Sequence, residues 1–176
     1  EVEKNKTVNI TYKIETNSKK EIEKIRVNDV NYVATKLTDG NYKITVQTGN
    51  VPQLLNLETT KVIFEDKTEI DVTNTLQVNV LKDIPTISDI KQEDTVGEHE
   101  VTISFTVNDI DNSYINGKVQ LVDGDQIVEE KEIVISENKK GKVTFDNVQE
   151  SVEYTAKVLF TYNRYTQTEE HIQEDA

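Results

Sequence analysis

Apolar and polar residues alternate along this chain with the two-residue period of a β-strand that is buried on one face. Two segments show it most clearly: Val8, Ile10, Tyr12 and Ile14 share a face in TVNITYKIE, and Val101, Ile103, Phe105 and Val107 share one in EVTISFTVND. No segment carries the longer period of an amphipathic helix. The pattern therefore predicts an all-β fold of antiparallel sheets.

The two halves of the chain resemble each other. Ile10 and Ile103 occupy equivalent places in their strands at an offset of 93 residues, and Val62 in TKVIF matches Val158 in AKVLF at an offset of 96. Two offsets this close indicate one repeated module. Between the halves, strand alternation ends at Leu81, and Pro85 restricts the backbone soon afterwards. We therefore predict modules over 1–84 and 85–176, joined by a short, tight linker.

The second half predicts a β-sandwich, because seven short strands separated by turn signals fit into one module. The predicted strands are Thr86–Lys91, Glu100–Asn108, Tyr114–Val122, Gln126–Ile135, Lys142–Asp146, Val152–Tyr162 and Thr166–Ile172. The first half follows the same order, but its opening strand is missing or reduced to Glu1–Lys4. We expect another module to precede it.

A tyrosine near the start of the sixth predicted strand has an apolar residue six positions earlier. Tyr154 and Val148 fit the tyrosine corner of immunoglobulin and fibronectin type III domains, in which the phenol hydrogen-bonds back to the chain between the sheets. The alternative is that Tyr154 is one more aromatic residue of the core. The corner interpretation favours an immunoglobulin/fibronectin-III-like sandwich.

Longer phrases of the sequence resemble a known class of repeat. VNDVNYVATKLTDGNYKITV, TKVIFEDKTEIDV and VNVLKDIP are similar to repeats of large Gram-positive cell-surface proteins, including the non-catalytic regions of secreted zinc metalloproteases of the immunoglobulin-A-protease type. VTISFTVNDIDNSYINGKVQLVDGD resembles the partner repeat. The resemblance implies an extracellular protein, wall-associated or secreted, and it brings no catalytic residue with it.

The charge of the chain is strongly negative and unevenly distributed. The total is −13, of which the residues from Pro85 onward contribute −12, with 8 Lys+Arg against 20 Asp+Glu. Such a surface repels phosphate backbones and anionic lipid, so nucleic acid and simple membrane adsorption are excluded as partners. No apolar stretch approaches the length of a membrane span. There are no cysteines, which excludes disulfides and thiolate metal sites.

The sequence contains no recognisable catalytic motif. Its two histidines, His99 and His171, have no metal-ligand or triad spacing. The chain has no HExxH zinc motif, no phosphate-binding glycine loop and no GxSxG nucleophile motif. We therefore predict that it is not an enzyme and holds no resident cofactor.

A calcium site is the one metal hypothesis that the sequence offers. Asp109 and Asp111 begin like a calcium loop in NDIDNSY, although the later EF-hand positions do not match, and Asp83 in the linker is expected nearby. The alternative is an ordinary polar loop. Without a metal, neighbouring cations would have to neutralise these carboxylates. The candidates are Lys139, Lys140 and Arg164.

Two further surfaces are candidates for contacts with partners. The opposite end of the second module gathers acids that could meet a cation or a basic neighbouring module, or could simply be solvated: Asp94, Glu98, Asp123, Asp125, Asp146 and Glu150. In TYNRYTQT, a loop tip could present Tyr162, Arg164 and Tyr165 to another protein. The alternative for this tip is a packed hairpin that needs core tyrosines.

These observations lead to two functional hypotheses. The first is a structural spacer whose partners are the neighbouring modules of the same chain. The second is an adhesin or accessory module that recognises a host protein or a glycan.

Overall fold

A computed structural model of the chain describes residues 1–15, 19–93, 97–167 and 171–175. The chain divides into two compact units, Glu1–Leu81 and Lys82–Ala176. All the regular structure in these ranges is β-strand. Lys82–Ile84, which the sequence assigned to the first module, belong to the second unit because the backbone N–H of Lys82 donates to the carbonyl of Arg164 at 2.8 Å.

The first unit is a sandwich of a three-stranded and a four-stranded antiparallel sheet. Its strands are β1 (Thr7–Tyr12), β2 (Ile22–Val27), β3 (Val30–Val33), β4 (Thr35–Lys36), β5 (Tyr42–Gln47), β6 (Gln53–Phe64) and β7 (Glu69–Val80). They are arranged as β1-β5-β4 and β3-β2-β6-β7. Before β1, the described pairing is one isolated parallel bridge between Val2 and Val80.

The alternation of β1 and β5 builds the first core. Ile10 and Ile44 are register partners, both are buried, and both pack against residues of the facing sheet such as Ile25 and Val62. The turn between β2 and β3 consists of Asn28 and Asp29, both at positive φ, which suits the twist of a two-residue hairpin. The side chain of Asn28 then bonds to the backbone of β6 at Asn56 and Glu58.

The second unit is a sandwich of two four-stranded antiparallel sheets. Its strands are β8 (Thr86–Glu93), β9 (Val101–Asn108), β10 (Tyr114–Asp123), β11 (Gln126–Glu132), β12 (Val134–Ile135), β13 (Lys140–Phe145), β14 (Thr155–Asn163) and β15 (Ile172–Asp175). They are arranged as β12-β13-β9-β8 and β11-β10-β14-β15. The chain is thus two tandem immunoglobulin/fibronectin-III-like β-sandwiches.

Three predicted strands of the second unit needed correction. Gln126–Ile135 was predicted as one strand. The N–H of Ile133 still donates to Gly117 of β10, but Val134 and Ile135 pair with β13 in the other sheet, so the segment forms β11 and β12. The strand predicted from Val152 begins only at Thr155. The last strand was predicted over Thr166–Ile172 but lies at Ile172–Asp175, and residues 168–170 of that prediction lie outside the described ranges.

The core of the second unit follows the predicted alternation. Phe105 and Phe145 are almost fully buried on the sheet that contains β9 and β13. Val119 and Val158 face them from β10 and β14. Within this core, Gly141 lies directly opposite Phe105 in the register of β9 and β13, where the aromatic ring occupies the space that a side chain would need.

Candidate functional site

The loop between β9 and β10 is organised around the carboxylate of Asp109. One oxygen, Oδ1, accepts the backbone N–H of Ser113 at 2.8 Å, and the other, Oδ2, accepts the N–H of Tyr114 at 2.9 Å. A carboxylate that caps consecutive N–H groups in this way replaces water as their acceptor. Asp109 therefore fixes the start of β10.

Asp111 and Ser113 attach the segment that enters the second unit to the same loop. The carboxylate of Asp111 accepts the N–H of Asp83 at 2.7 Å. The hydroxyl of Ser113, only 1% exposed, donates to the carbonyl of Asp83 at 2.7 Å and lies 3.0 Å from Asp109 Oδ1. The structure therefore brings Asp83, Asp109 and Asp111 into one network, in which Asp83 takes part through its backbone.

Each of the cations proposed to neutralise these acids donates to an oxygen in or near this loop. The ammonium group of Lys139 donates to the backbone carbonyl of Asp109 at 3.0 Å, and that of Lys140 donates to Thr106 Oγ1 at 2.6 Å. Arg164 Nε donates to the carbonyl of Lys82 at 2.8 Å. Lys139 and Arg164 thus bind carbonyl oxygens of the loop and of the entering segment, and Lys140 binds a hydroxyl of β9.

Calcium binding at this loop stays a prediction. Within the described ranges, no three or more His, Cys, Asp or Glu residues are grouped so that they could hold a metal ion. Ca²⁺ takes six to eight oxygen ligands. To bind it, the Asp109 carboxylate would have to give up backbone N–H groups that it already accepts.

The corner between β13 and β14 is closed by Tyr154. Its phenol oxygen accepts the backbone N–H of Gln149 at 3.1 Å, and its ring packs with Val148 against the core. The connection runs from one sheet to the other and includes Ser151 at positive φ. The hydrogen bond therefore pins a strained crossing segment to the strand that follows it.

The first histidine also belongs to this corner. The N–H of Val148 donates to the carbonyl of His99 at 3.0 Å, while His99 Nδ1 lies 3.1 Å from the carbonyl of Val148. His171 lies elsewhere, stacked on the ring of Tyr165 with 3.9 Å between the centroids. Both histidines thus make local packing or backbone contacts.

The loop tip proposed to carry Tyr162, Arg164 and Tyr165 needs one correction. Tyr162 is 7% exposed and packs against Phe160 in the core, so it does not belong to an exposed tip. The reason is its parity in β14, where Phe160 and Tyr162 share the inward face. Arg164 and Tyr165 are half-buried, and the N–H of Tyr165 donates to Asn163 Oδ1 at 2.9 Å.

The acids at the opposite end lie at strand ends and turns. Asp123 ends β10, and Asp125 follows it across the turn at Gly124. Asp146 pairs with Lys131 at 3.0 Å, and this contact raises the pKa of Lys131 above its usual value. Glu98 and Glu150 are exposed, and Asp94 lies outside the described residues.

A polar network in the first unit surrounds Glu21. The Tyr42 hydroxyl donates to its carboxylate at 2.7 Å and Lys36 donates at 2.9 Å, and these bonds lower the pKa of Glu21. Burial, and then the negative Glu21, raise the pKa of Tyr42. This network joins β5 to the start of β2 and is structural.

An open groove of about 570 Å³ runs along the second unit between β8 and β14. Ile84, Ile87, Ile90, Val158 and Phe160 are among the residues that line it. Ile90 is half exposed there. The sequence analysis did not identify this groove, because it arises where β8 and β14 of different sheets run past each other.

Comparison with known proteins does not assign the chain to a family. No protein-family model matches the chain, and no curated protein matches it. Among solved structures, the fibronectin(III)-like modules of Clostridium thermocellum CbhA match with a TM-score of 0.32 at 13% identity, over 98% of this chain and 85% of that one. A DUF3823 family protein from Bacteroides ovatus also matches with a TM-score of 0.32, at 12% identity, over 97% and 92% of the two chains. The strand topology described above defines the fold without them.

No helix in the described ranges is long and apolar enough to cross a membrane.

Proposed function

We propose that the chain is a non-catalytic spacer, formed by two β-sandwich modules of an extracellular surface protein. The observation that carries this proposal is the bonding on either side of the unit boundary. The N–H of Leu81 donates to Val2 within the first unit, and the N–H of the next residue, Lys82, donates to Arg164 within the second. No residue is left over to act as a flexible tether.

The segment after the boundary is held further by the loop network of the second unit. Asp83 is bonded through its N–H to Asp111 and through its carbonyl to Ser113. In this proposal the network holds the backbone at the start of the second module in one conformation. A stiff spacer requires such a fixed connection. In this proposal the polar residues that the sequence offered as a metal site support the entry of the chain into the second module.

The extracellular setting rests on the sequence resemblance to surface-protein repeats. The same holds for the Gram-positive origin and for the link to secreted zinc metalloproteases. An antibody raised against the chain should label intact source cells without permeabilisation. Labelling that requires permeabilisation would remove the extracellular part of the proposal and leave the spacer part standing.

Small-angle X-ray scattering of the whole chain tests the spacer. We expect one narrow distribution of distances between the units, and a broader one after insertion of Gly-Ser-Gly-Ser-Gly between Leu81 and Lys82. The insertion is the matched control because it adds a flexible tether and changes no bonded residue. If the unmodified chain gives a distribution as broad as the insertion variant, the spacer proposal is wrong.

A second candidate function is an adhesin or accessory module that binds a host protein or glycan. The observation in its favour is the apolar groove between β8 and β14, with Ile90 at its exposed side. A screen against glycans and host matrix proteins would test it, with Ile90→Asp as the variant that should abolish any binding. Binding that survives Ile90→Asp would place the contact elsewhere.

A further inference from the structure

The backbone of β1 shows which of its residues face its single partner strand. The N–H of Thr48 donates to the carbonyl of Lys6, so the even-numbered residues of β1 face β5. The pairing on the other side of β5 is consistent with this. The N–H of Leu37 donates to Asn41, so the backbone groups of odd residues of β5 face β4 and those of even residues face β1. The N–H and C=O groups of Thr7, Asn9 and Thr11 therefore point away from the sheet.

This outer edge of β1 lacks the features that usually prevent pairing with another strand. Within the described part of the chain, no strand pairs with it, whereas the equivalent strand β9 of the second unit is covered by β8. Sheet edges are normally protected by charge, proline or a bulge. Here the outward-facing residues are two threonines and an asparagine, and the pairing of β1 with β5 is regular throughout.

We propose that this edge binds the same edge of a second copy of the chain, forming an antiparallel two-fold pair centred on Asn9. Asn9 then faces Asn9 of the other copy, and Thr7 faces Thr11, so that each pair exchanges both backbone hydrogen bonds. On the core side Val8 faces Ile10, which extends both apolar faces across the junction. The side chain of Asn9 is already held back over β5 by the hydroxyl of Thr45 at 2.8 Å.

The charges of the chain favour this edge over the others. In the two-fold register Lys6 faces Tyr12 and Lys13 faces Asn5, so no like charges oppose each other between residues 5 and 13. The first unit carries 11 Lys+Arg and 12 Asp+Glu, a net charge of −1, whereas the second carries 9 and 21, a net charge of −12. The negative charge of the second unit would make two copies of it repel each other. Its edge strand β8 is also a poorer partner for pairing, because a bulge at Ser88–Lys91 interrupts it.

A proline at the centre of the edge tests the proposal. Asn9→Pro removes an N–H that points outward and leaves the backbone hydrogen bonds between β1 and β5 intact, although the side-chain bond from Thr45 is lost. The matched control is Val33→Pro at the outer side of β3, since the N–H of its neighbour Ala34 donates inward to Glu23. By sedimentation velocity we expect concentration-dependent dimers for the unmodified chain and Val33→Pro, and monomers for Asn9→Pro.

A charge pair tests the register independently of proline. Thr7 and Thr11 lie far apart within one strand but face each other across the two-fold axis. Thr7→Lys combined with Thr11→Lys should therefore weaken the dimer about tenfold, because two like-charged pairs are created. Thr7→Lys combined with Thr11→Glu should hold it at least as tightly as the original. An unmodified chain that stays monomeric at all concentrations, or a dimer indifferent to these changes, overturns the proposal.

Discussion

Tyr154 and Gln149 are joined by a hydrogen bond of 3.1 Å that runs from the backbone N–H of Gln149 to the phenol oxygen of Tyr154. The bond spans the connection between the two sheets of the second unit, at the place where Ser151 adopts a positive φ. Together with the contacts between His99 and Val148, it holds the geometry of the crossing.

Removal of that hydroxyl should destabilise the second unit. Tyr154→Phe keeps the ring in the core and deletes the acceptor of the Gln149 N–H. Because this N–H is near the surface and water can partly replace the phenol, we expect a loss of about 1 kcal/mol in the free energy of unfolding. Urea denaturation measures it. Tyr165→Phe removes a hydroxyl from the same unit without touching the corner, and an equal loss there would contradict the assignment.

Gly141 should not tolerate a side chain. A Cβ there would lie 2.1 Å from Cε2 of Phe105, a ring that is 2% exposed and cannot move aside. We expect Gly141→Ala to lower the free energy of unfolding by about 1–3 kcal/mol, as overpacking of a core does. The control is Gly97→Ala, whose Cβ meets only the flexible end of Glu100. Equal stability of both variants would show that the core is looser than its geometry indicates.

The carboxylate of Asp109 should contribute more to stability than an exposed acid on a turn. Asp109→Asn replaces one acceptor oxygen by an amide donor, which leaves the N–H of Ser113 or of Tyr114 facing another donor. We expect a loss of about 1–3 kcal/mol. Asp125→Asn makes the same change of charge at the β10–β11 turn and should be nearly neutral. If the two variants unfold alike, the loop network does not stabilise the second unit.

The alternation of the sequence predicted the sheets because it encodes which face of each strand is buried. The same alternation predicts that Tyr162 is buried and not at an exposed loop tip. Tyr162 shares the parity of Val158 and Phe160 in β14 and is buried with them. The sequence could offer Tyr154 as a corner residue because a corner leaves a local spacing, and its phenol accepts the N–H of Gln149 five positions earlier. These features depend on residues close together in the sequence.

The sequence predicted that Asp83 lies near the loop of Asp109 and Asp111, but not the hydrogen bonds between distant residues that hold it there. The hydroxyl of Ser113 meets the carbonyl of Asp83 thirty positions away, and nothing in the local pattern of either residue indicates the other. The change of sheet at Ile133 was also hidden, because the alternation continues from β11 into β12. It depends on the pairing of Val134 and Ile135 with Lys142 and Gly141 of β13, in the other sheet.

The turn between β6 and β7 should be acid-sensitive. The Lys20 ammonium, and then the hydroxyl and N–H of Thr68, lower the pKa of Asp66 from 3.8 to about 2. Because the folded pKa lies below the unfolded value, the stabilisation is complete above about pH 4 and is lost as the pH falls toward 2. Carboxyl NMR should show Asp66 titrating near pH 2, and Lys20→Gln should raise that pKa. A rise of the same size in Lys19→Gln would indicate a general field instead of a specific pair.

Calcium should leave the thermal stability of the second unit unchanged. The Asp109 carboxylate accepts the N–H groups of Ser113 and Tyr114, and the Asp111 carboxylate accepts the N–H of Asp83, so binding would have to break bonds that hold the loop. If calcium bound the folded state nonetheless, stability would rise by about 2.7 kcal/mol at a hundredfold excess over Kd. We expect no shift in Tm when millimolar calcium is added to chelator-treated protein in a scanning calorimeter. A Tm that climbs with free calcium, and no longer does so in Asp109→Asn, would instead establish a metal site in this loop.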